Sequence, residues 1–191
     1  MCIRDRADIE NIVSVVKREL KWSFPLSNCN WTGVLPKGDH PGSFLAKRKH
    51  SIHTGIDLYC PEYSVVHAVE AGKVVGIEPF TGPKDNSPWW RDTDCILIEG
   101  KSGVVCYGEV RPYHHLTVGM NVRRREPIAD VIRVLLDGKE RPDIPGHSTS
   151  MLHMELYPFG HYKASNTYEK DKDILNDPTP FLEECKPEKP L

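Results

Sequence analysis

Ser51-Ile-His-Thr-Gly-Ile-Asp-Leu-Tyr59 is the stretch on which the reading of this chain turns. It sets His53 and Asp57 four positions apart around Gly55, and its second half begins to alternate as a strand entering a core does. Imidazole and carboxylate both bind divalent metals. On a straight strand the two would share a face but stand about 13 Å apart, at roughly 3.3 Å per residue. Zinc holds its ligand atoms within about 2.1 Å, so the chain must bend between them, and Gly55 is expected to permit the bend. Far along the chain, Met151-Leu-His-Met-Glu-Leu-Tyr157 offers His153 on another alternating run, with Glu155 on the same face. Three protein ligands without a fourth is the pattern of a hydrolytic zinc site, whereas structural sites close with a fourth. Glu155 then serves as an acceptor that orients the ligating histidine.

The sequence around these stretches has a β texture. Ser64–Glu70 and Lys73–Glu78 read as two strands joined by a tight turn at Ala71-Gly72. Asp94–Val110 reads as a hairpin through Gly100-Lys-Ser-Gly103, and residues 117–122, 127–136 and 152–157 supply further strand material. Short strands with close turns predict a mainly β, antiparallel domain over residues 51–160. Ahead of it, Ile9, Ile12, Val13, Val16 and Leu20 share one helical face, so residues 1–20 are read as a short N-terminal helix behind a start that looks non-native. Residues 21–50, broken by Pro25, Pro36, Gly38, Pro41 and Gly42, read as an approach loop, and Lys47-Arg-Lys-His50 within it as a solvated turn. Residues 161–191 read as a polar tail that docks through Phe181 and Leu182. Two long loops, 79–93 and 137–150, interrupt the β region, and Trp89-Trp90 in the first are candidates for a substrate-groove wall, or equally for a core-edge cap.

Composition narrows the classes of function. The chain's 39% hydrophobic residues can form a core, and a net charge of -2 gives no reason to expect nucleic acid as a partner. No run reaches the roughly 18 apolar residues a membrane span needs. The opening Met1–Arg6 is charged and shows no export signal, which leaves localisation open. Six cysteines without a Cys-x2-Cys pair are scattered along the chain, and Cys60, Cys95 and Cys106 are expected as small buried apolar groups.

Five motifs in order give a more specific resemblance: His53-Thr-Gly-Ile-Asp57, Val65–Val75, Tyr107-Gly-Glu-Val110, Val118-Gly-Met-Asn-Val122 and Leu152-His-Met-Glu-Leu156. Together they resemble the lysostaphin-type (LytM-like) zinc metallopeptidases, and Asp177–Leu182 is similar to that family's closing segment. The resemblance implies the duplicated hybrid motif fold, with Zn2+ held by His53, Asp57 and His153. It also implies hydrolysis of peptide cross-links in bacterial peptidoglycan, a function that points to the cell envelope.

The chain departs from the family at two usual histidines. Glu109 stands in the Tyr-x-His-Leu segment, and Met151 stands where a His-x-His motif would open. Glutamate can take a proton and methionine cannot. Glu109 is therefore the candidate base, and His115 or His147 is a candidate for the missing donor. The alternative is a catalytically degenerate member that binds cell-wall peptide or a partner hydrolase without turnover.

Overall fold

A computed structural model describes residues 21–27, 33–48, 51–138, 150–164, 174–185 and 187. The helix expected before residue 20 and His147 lie outside the described residues. Among the described residues eight strands carry the fold: β1 (Ile56–Tyr59), β2 (Val65–His67), β3 (Gly72–Thr81), β4 (Thr93–Glu99), β5 (Val104–Pro112), β6 (Asn121–Val122), β7 (Pro127–Val131) and β8 (Met151–Tyr157). One short helix, α1 (Thr179–Cys185), follows them. Every strand pairing among the described residues is antiparallel, and the main path runs β1-β8-β5-β4-β3-β6, with β7 joining β2 to β5. The expected mainly β, antiparallel architecture is what the chain adopts. Among the described residues no helix is long and apolar enough to cross a membrane.

The period-2 alternation sorts side chains onto two apolar faces. Ile96, Ile98, Val105, Tyr107, Leu152, Met154 and Leu156 enter the larger core, together with Ile56 and Leu58. Their neighbours Cys95, Leu97, Val104, Cys106 and Tyr157 form a smaller core on the opposite face. Cys60, Cys95 and Cys106 are buried, as expected, and none is in a disulfide among the described residues. Removing each large aliphatic side chain from water contributes about 1.5–3 kcal/mol, so the alternation of β4, β5 and β8 fixes their register. A one-residue slip would exchange the two faces. On the larger core, Phe181 of α1 stacks on Trp22 at 4.7 Å, and Leu182 is fully buried.

Two strand readings change. β2 and β3 are not a hairpin, because β2 pairs with β7 while β3 pairs with β4 and β6. The backbone donors between them are engaged elsewhere: Ala68 donates to the Glu126 carbonyl and Val69 to the Tyr107 hydroxyl. Gly72 is needed for a close approach, since a Cβ there would lie 2.5 Å from the Glu99 carbonyl oxygen. The strand expected over 127–136 stops at Val131, after which Ile132 N–H donates to the Glu109 carbonyl.

That bond marks a change of partner on β5. Gly108 still pairs with His153 of β8, whereas Val110 pairs with Val131 of β7. Glu109 lies between them at φ 62°, where the register against β4 also shifts. A non-glycine residue in the left-handed region within a strand is a bulge that re-aims its side chain at a cost of about 1–3 kcal/mol.

Candidate metal centre

β1 and β8 pair Asp57 directly with His153, and directly opposed residues of an antiparallel pair project to the same face. His53 arrives from the segment before β1, where its N–H donates to the Ala46 carbonyl and its carbonyl accepts from Leu45 N–H. The chain bends at Gly55, which brings His53 Nε2 to 3.0 Å from Asp57 Oδ1. His153 Nδ1 lies 2.9 Å from the same oxygen and 3.1 Å from His53 Nε2.

Gly55 has a tighter reason to be glycine than the bend. A Cβ at this position would meet the Met154 carbonyl oxygen at 2.2 Å and His153 Nε2 at 2.8 Å. The absent side chain is what lets the two donor-bearing segments close on each other.

The three residues are buried, and their ligand atoms all lie within 4.8 Å of one another. Two nitrogens and a carboxylate oxygen match the donor chemistry of zinc, whose tetrahedral sphere places neighbouring donors about 3.3 Å apart. The observed spacings of 2.9–3.1 Å are close to that value. The donor set therefore fits a small divalent ion.

Each donor is held from behind. His53 Nδ1 lies 2.8 Å from the Ser43 carbonyl, so that nitrogen donates and leaves the Nε2 lone pair facing the cluster. His153 Nε2 lies 3.1 Å from Glu155 Oε1, which frees Nδ1. Glu155 in turn accepts from Thr54 Oγ1 at 2.5 Å and from the Tyr157 hydroxyl. Asp57 Oδ2 accepts from Arg48 at 2.7 Å, which turns Oδ1 inward. Glu155→Gln is expected to weaken metal affinity about 10–100-fold. Competition with a chelator at constant pH checks it.

The charges in the free site follow from this geometry. Burial alone would raise the Asp57 carboxyl, but its contacts with His53 and His153 hold it well below the carboxylate range. Burial keeps His53 below the ordinary imidazole value against the pull of Asp57. Burial also opposes charge on His153, but its hydrogen bonds to Asp57 and Glu155 win and raise it to about 9.

Glu109 is half-buried as a residue, yet its Oε2 is shut off from solvent with no hydrogen-bond partner among the described residues. Burial first, and the charge of Asp57 second, push its carboxyl up to about 8, while His153 and Arg48 pull the other way. Between about 4.5 and 8 the folded chain therefore holds a proton that the unfolded chain has lost, and stability falls as pH rises through that window. Metal-free Glu109→Gln is expected to lack this decline. The gap in Tm between variant and wild type should widen in the variant's favour as pH rises, which thermal unfolding across the window measures.

Other expectations fall outside the cluster or need revision. Trp89 and Trp90 pack edge to face at 6.1 Å with Trp90 bridging Leu135, and His115 packs beside Tyr113 at 6.0 Å. The cluster draws on none of these three. Lys47 and Arg48 are exposed, as a solvated turn requires, and Arg48 also reaches the buried Asp57 and the Pro41 carbonyl. Phe80 carries no motif, yet its ring lies 5.4 Å from that of His153 and covers Gly108, where a Cβ would meet it at 2.5 Å. The one signal for it in the sequence is the glycine that makes room.

No protein-family model matches the chain, and no curated protein does. Solved structures do. The catalytic domain of the antimicrobial peptidase lysostaphin from Staphylococcus simulans aligns over 83% of this chain and 98% of its own, at 19% identity and TM-score 0.50. A solution structure of lysostaphin aligns over 91% of this chain and 58% of its own, at 20% identity and TM-score 0.51. A zinc-containing peptidase from Vibrio cholerae aligns at 18% identity and TM-score 0.49, over 80% of this chain, which spans 41% of that protein. The two lysostaphin alignments show the architecture: the chain has the lysostaphin-type, LytM-like fold.

Proposed function

We propose that this chain is a zinc-dependent peptidase acting on the peptide cross-links of bacterial cell walls. The observation that carries the reading is the buried His53–Asp57–His153 donor set, whose ligand atoms converge without a fourth protein ligand among the described residues. An open position is what distinguishes a reacting zinc site from a structural one. The likeness of the fold to the catalytic domain of lysostaphin, an antimicrobial peptidase, supports a peptidase reading.

Zinc, when bound, supplies a Lewis acid that polarises a carbonyl and brings water into the range where it ionises near pH 7. His53, Asp57 and His153 hold it, while Ser43, Arg48 and Glu155 orient them. Glu109 projects from its bulge to where it feels the charges of Asp57 and His153, and beside a bound dication it favours its ionised form. Its carboxylate takes one proton from the attacking water as the water oxygen bonds to the scissile carbonyl carbon. It then returns that proton to the leaving nitrogen as the carbon–nitrogen bond breaks.

Glu109→Gln is expected to lower kcat about 10²–10⁴-fold and to leave metal content unchanged. Turnover of a cross-linked peptidoglycan peptide by zinc-loaded protein measures it. Met151 favours a second reading, a binding module without turnover, because it stands beside the donor set with a side chain that cannot move a proton. Tight peptide binding with no cleavage by either wild type or Glu109→Gln would select that reading.

A further inference from the structure

Three consecutive arginines, Arg123-Arg124-Arg125, stand between β6 and β7 in a chain whose net charge is -2. All three are exposed, and none is in an ion pair among the described residues. β6 ends the main path of the sheet that β1 begins, so this turn lies at the far edge from the strand that carries Asp57.

The backbone under the arginines is strained. Glu126 N–H donates to the Arg123 carbonyl at 3.0 Å and closes a turn whose third residue, Arg125, sits at φ 69°. Glycine suits that position, and a residue with a Cβ is strained there. The turn is nonetheless held in place. Arg125 N–H donates to the Ala68 carbonyl at 2.8 Å, and Glu126 Oε2 accepts from Arg123 N–H at 2.7 Å. Strain kept under an exposed arginine points to a use for its side chain.

Residues 121–126 line an open recess of about 660 Å³. Arg124 and Arg125 also line a neighbouring one of about 430 Å³, together with Lys21 and Glu184. Sharing two arginines, the recesses form one groove. Arg124 donates to the Lys21 carbonyl at 2.9 Å, which fixes its guanidinium at the junction. Lys21 and the three arginines face two carboxylates, of which Glu126 is committed to the Arg123 N–H.

We propose that this groove binds a linear phosphodiester polymer, each guanidinium gripping one phosphate. The planar fork of arginine matches two phosphate oxygens at once. A groove that runs past several cations suits a chain with one charge per repeat better than a single ion. A bilayer fits less well, because the apolar residue of the turn, Val122, is 3% exposed and enters the core, leaving none to insert. An acidic peptide strand also fits less well, since β6 offers only two residues to pair with. The site stands apart from the metal centre and does not rest on the peptidase reading.

The test is calorimetric titration with a short synthetic poly(glycerol phosphate) of wild type, Arg123→Ala/Arg124→Ala/Arg125→Ala and Arg125→Gly. Wild type is expected to bind, with log K falling against log salt at a slope of about -2, as about three phosphates are neutralised at roughly 0.7 each. The triple variant should lose about 10²-fold in affinity and most of that slope, with zinc content unchanged. Arg125→Gly relieves the left-handed strain, so it should lose about 5-fold in affinity while Tm holds or rises by up to about 4 °C. A purely structural arginine would not lose binding while stability is kept. A wild type that binds no polymer, or a triple variant within about two-fold of wild type, overturns the site. Binding of inorganic phosphate, charge-matched poly-glutamate or anionic phospholipid vesicles as tightly as the polymer overturns the phosphodiester assignment.

Discussion

His153→Ala is expected to empty the metal centre and to lower peptide turnover at least about 10³-fold, since the Lewis-acid contribution is several kcal/mol and about 4 kcal/mol is a factor of 10³. His153 is the hub of the cluster. Its Nδ1 faces both His53 Nε2 and Asp57 Oδ1, and its Nε2 faces Glu155. Removing the ring leaves two donors, too few to hold zinc against water. Glu155 keeps its hydrogen bonds from Thr54 and Tyr157, and the apolar neighbours Leu152 and Met154 still enter the core. The fold should therefore survive. Circular dichroism alongside metal analysis separates loss of the ion from loss of structure.

Gly55→Ala is expected to cost about 2–3 kcal/mol of stability, a fall in Tm of about 4–12 °C for a chain of this size. The added carbon would stand 2.2 Å from the Met154 carbonyl oxygen, a backbone atom of β8 that cannot move without opening the ladder to β1. It would also press on the His153 ring, so metal affinity should fall with stability. Gly119→Ala is the control. A Cβ there meets open space and carries only the strain of φ +96°, so it should lower Tm slightly and leave metal binding untouched.

The legible part of this molecule was whatever one strand writes into its own alternation. Ile96 and Ile98 against Cys95 and Leu97 show two faces without any knowledge of what packs on them. The convergence of His53 and Asp57 is legible because both sit on one short stretch, and the contact of Glu155 with His153 because they share a face. Pairing partners were less so. The Ala71-Gly72 turn looked like a hairpin, but β2 is drawn to β7 by contacts distant in sequence, and no local pattern encodes that choice.

The support of the donor set is the least legible. The Ser43 carbonyl that orients His53 is a backbone group, which any residue would offer. Arg48 lies in a run of charges that reads as solvent-facing until the 38–48 segment folds over Asp57. Glu109 could be singled out by its motif. Its left-handed backbone and enclosed Oε2 appear only once β5 changes partner.

The central claim is that His53, Asp57 and His153 form a zinc centre, and metal stoichiometry tests it most directly. Purified chain, loaded with equimolar zinc and passed through a desalting column, is analysed beside the His53→Ala/His153→Ala double variant. The structure leads to about one zinc per wild-type chain and less than about a tenth of one in the variant. A wild type that retains no zinc, or a double variant that retains as much as wild type, would contradict the account.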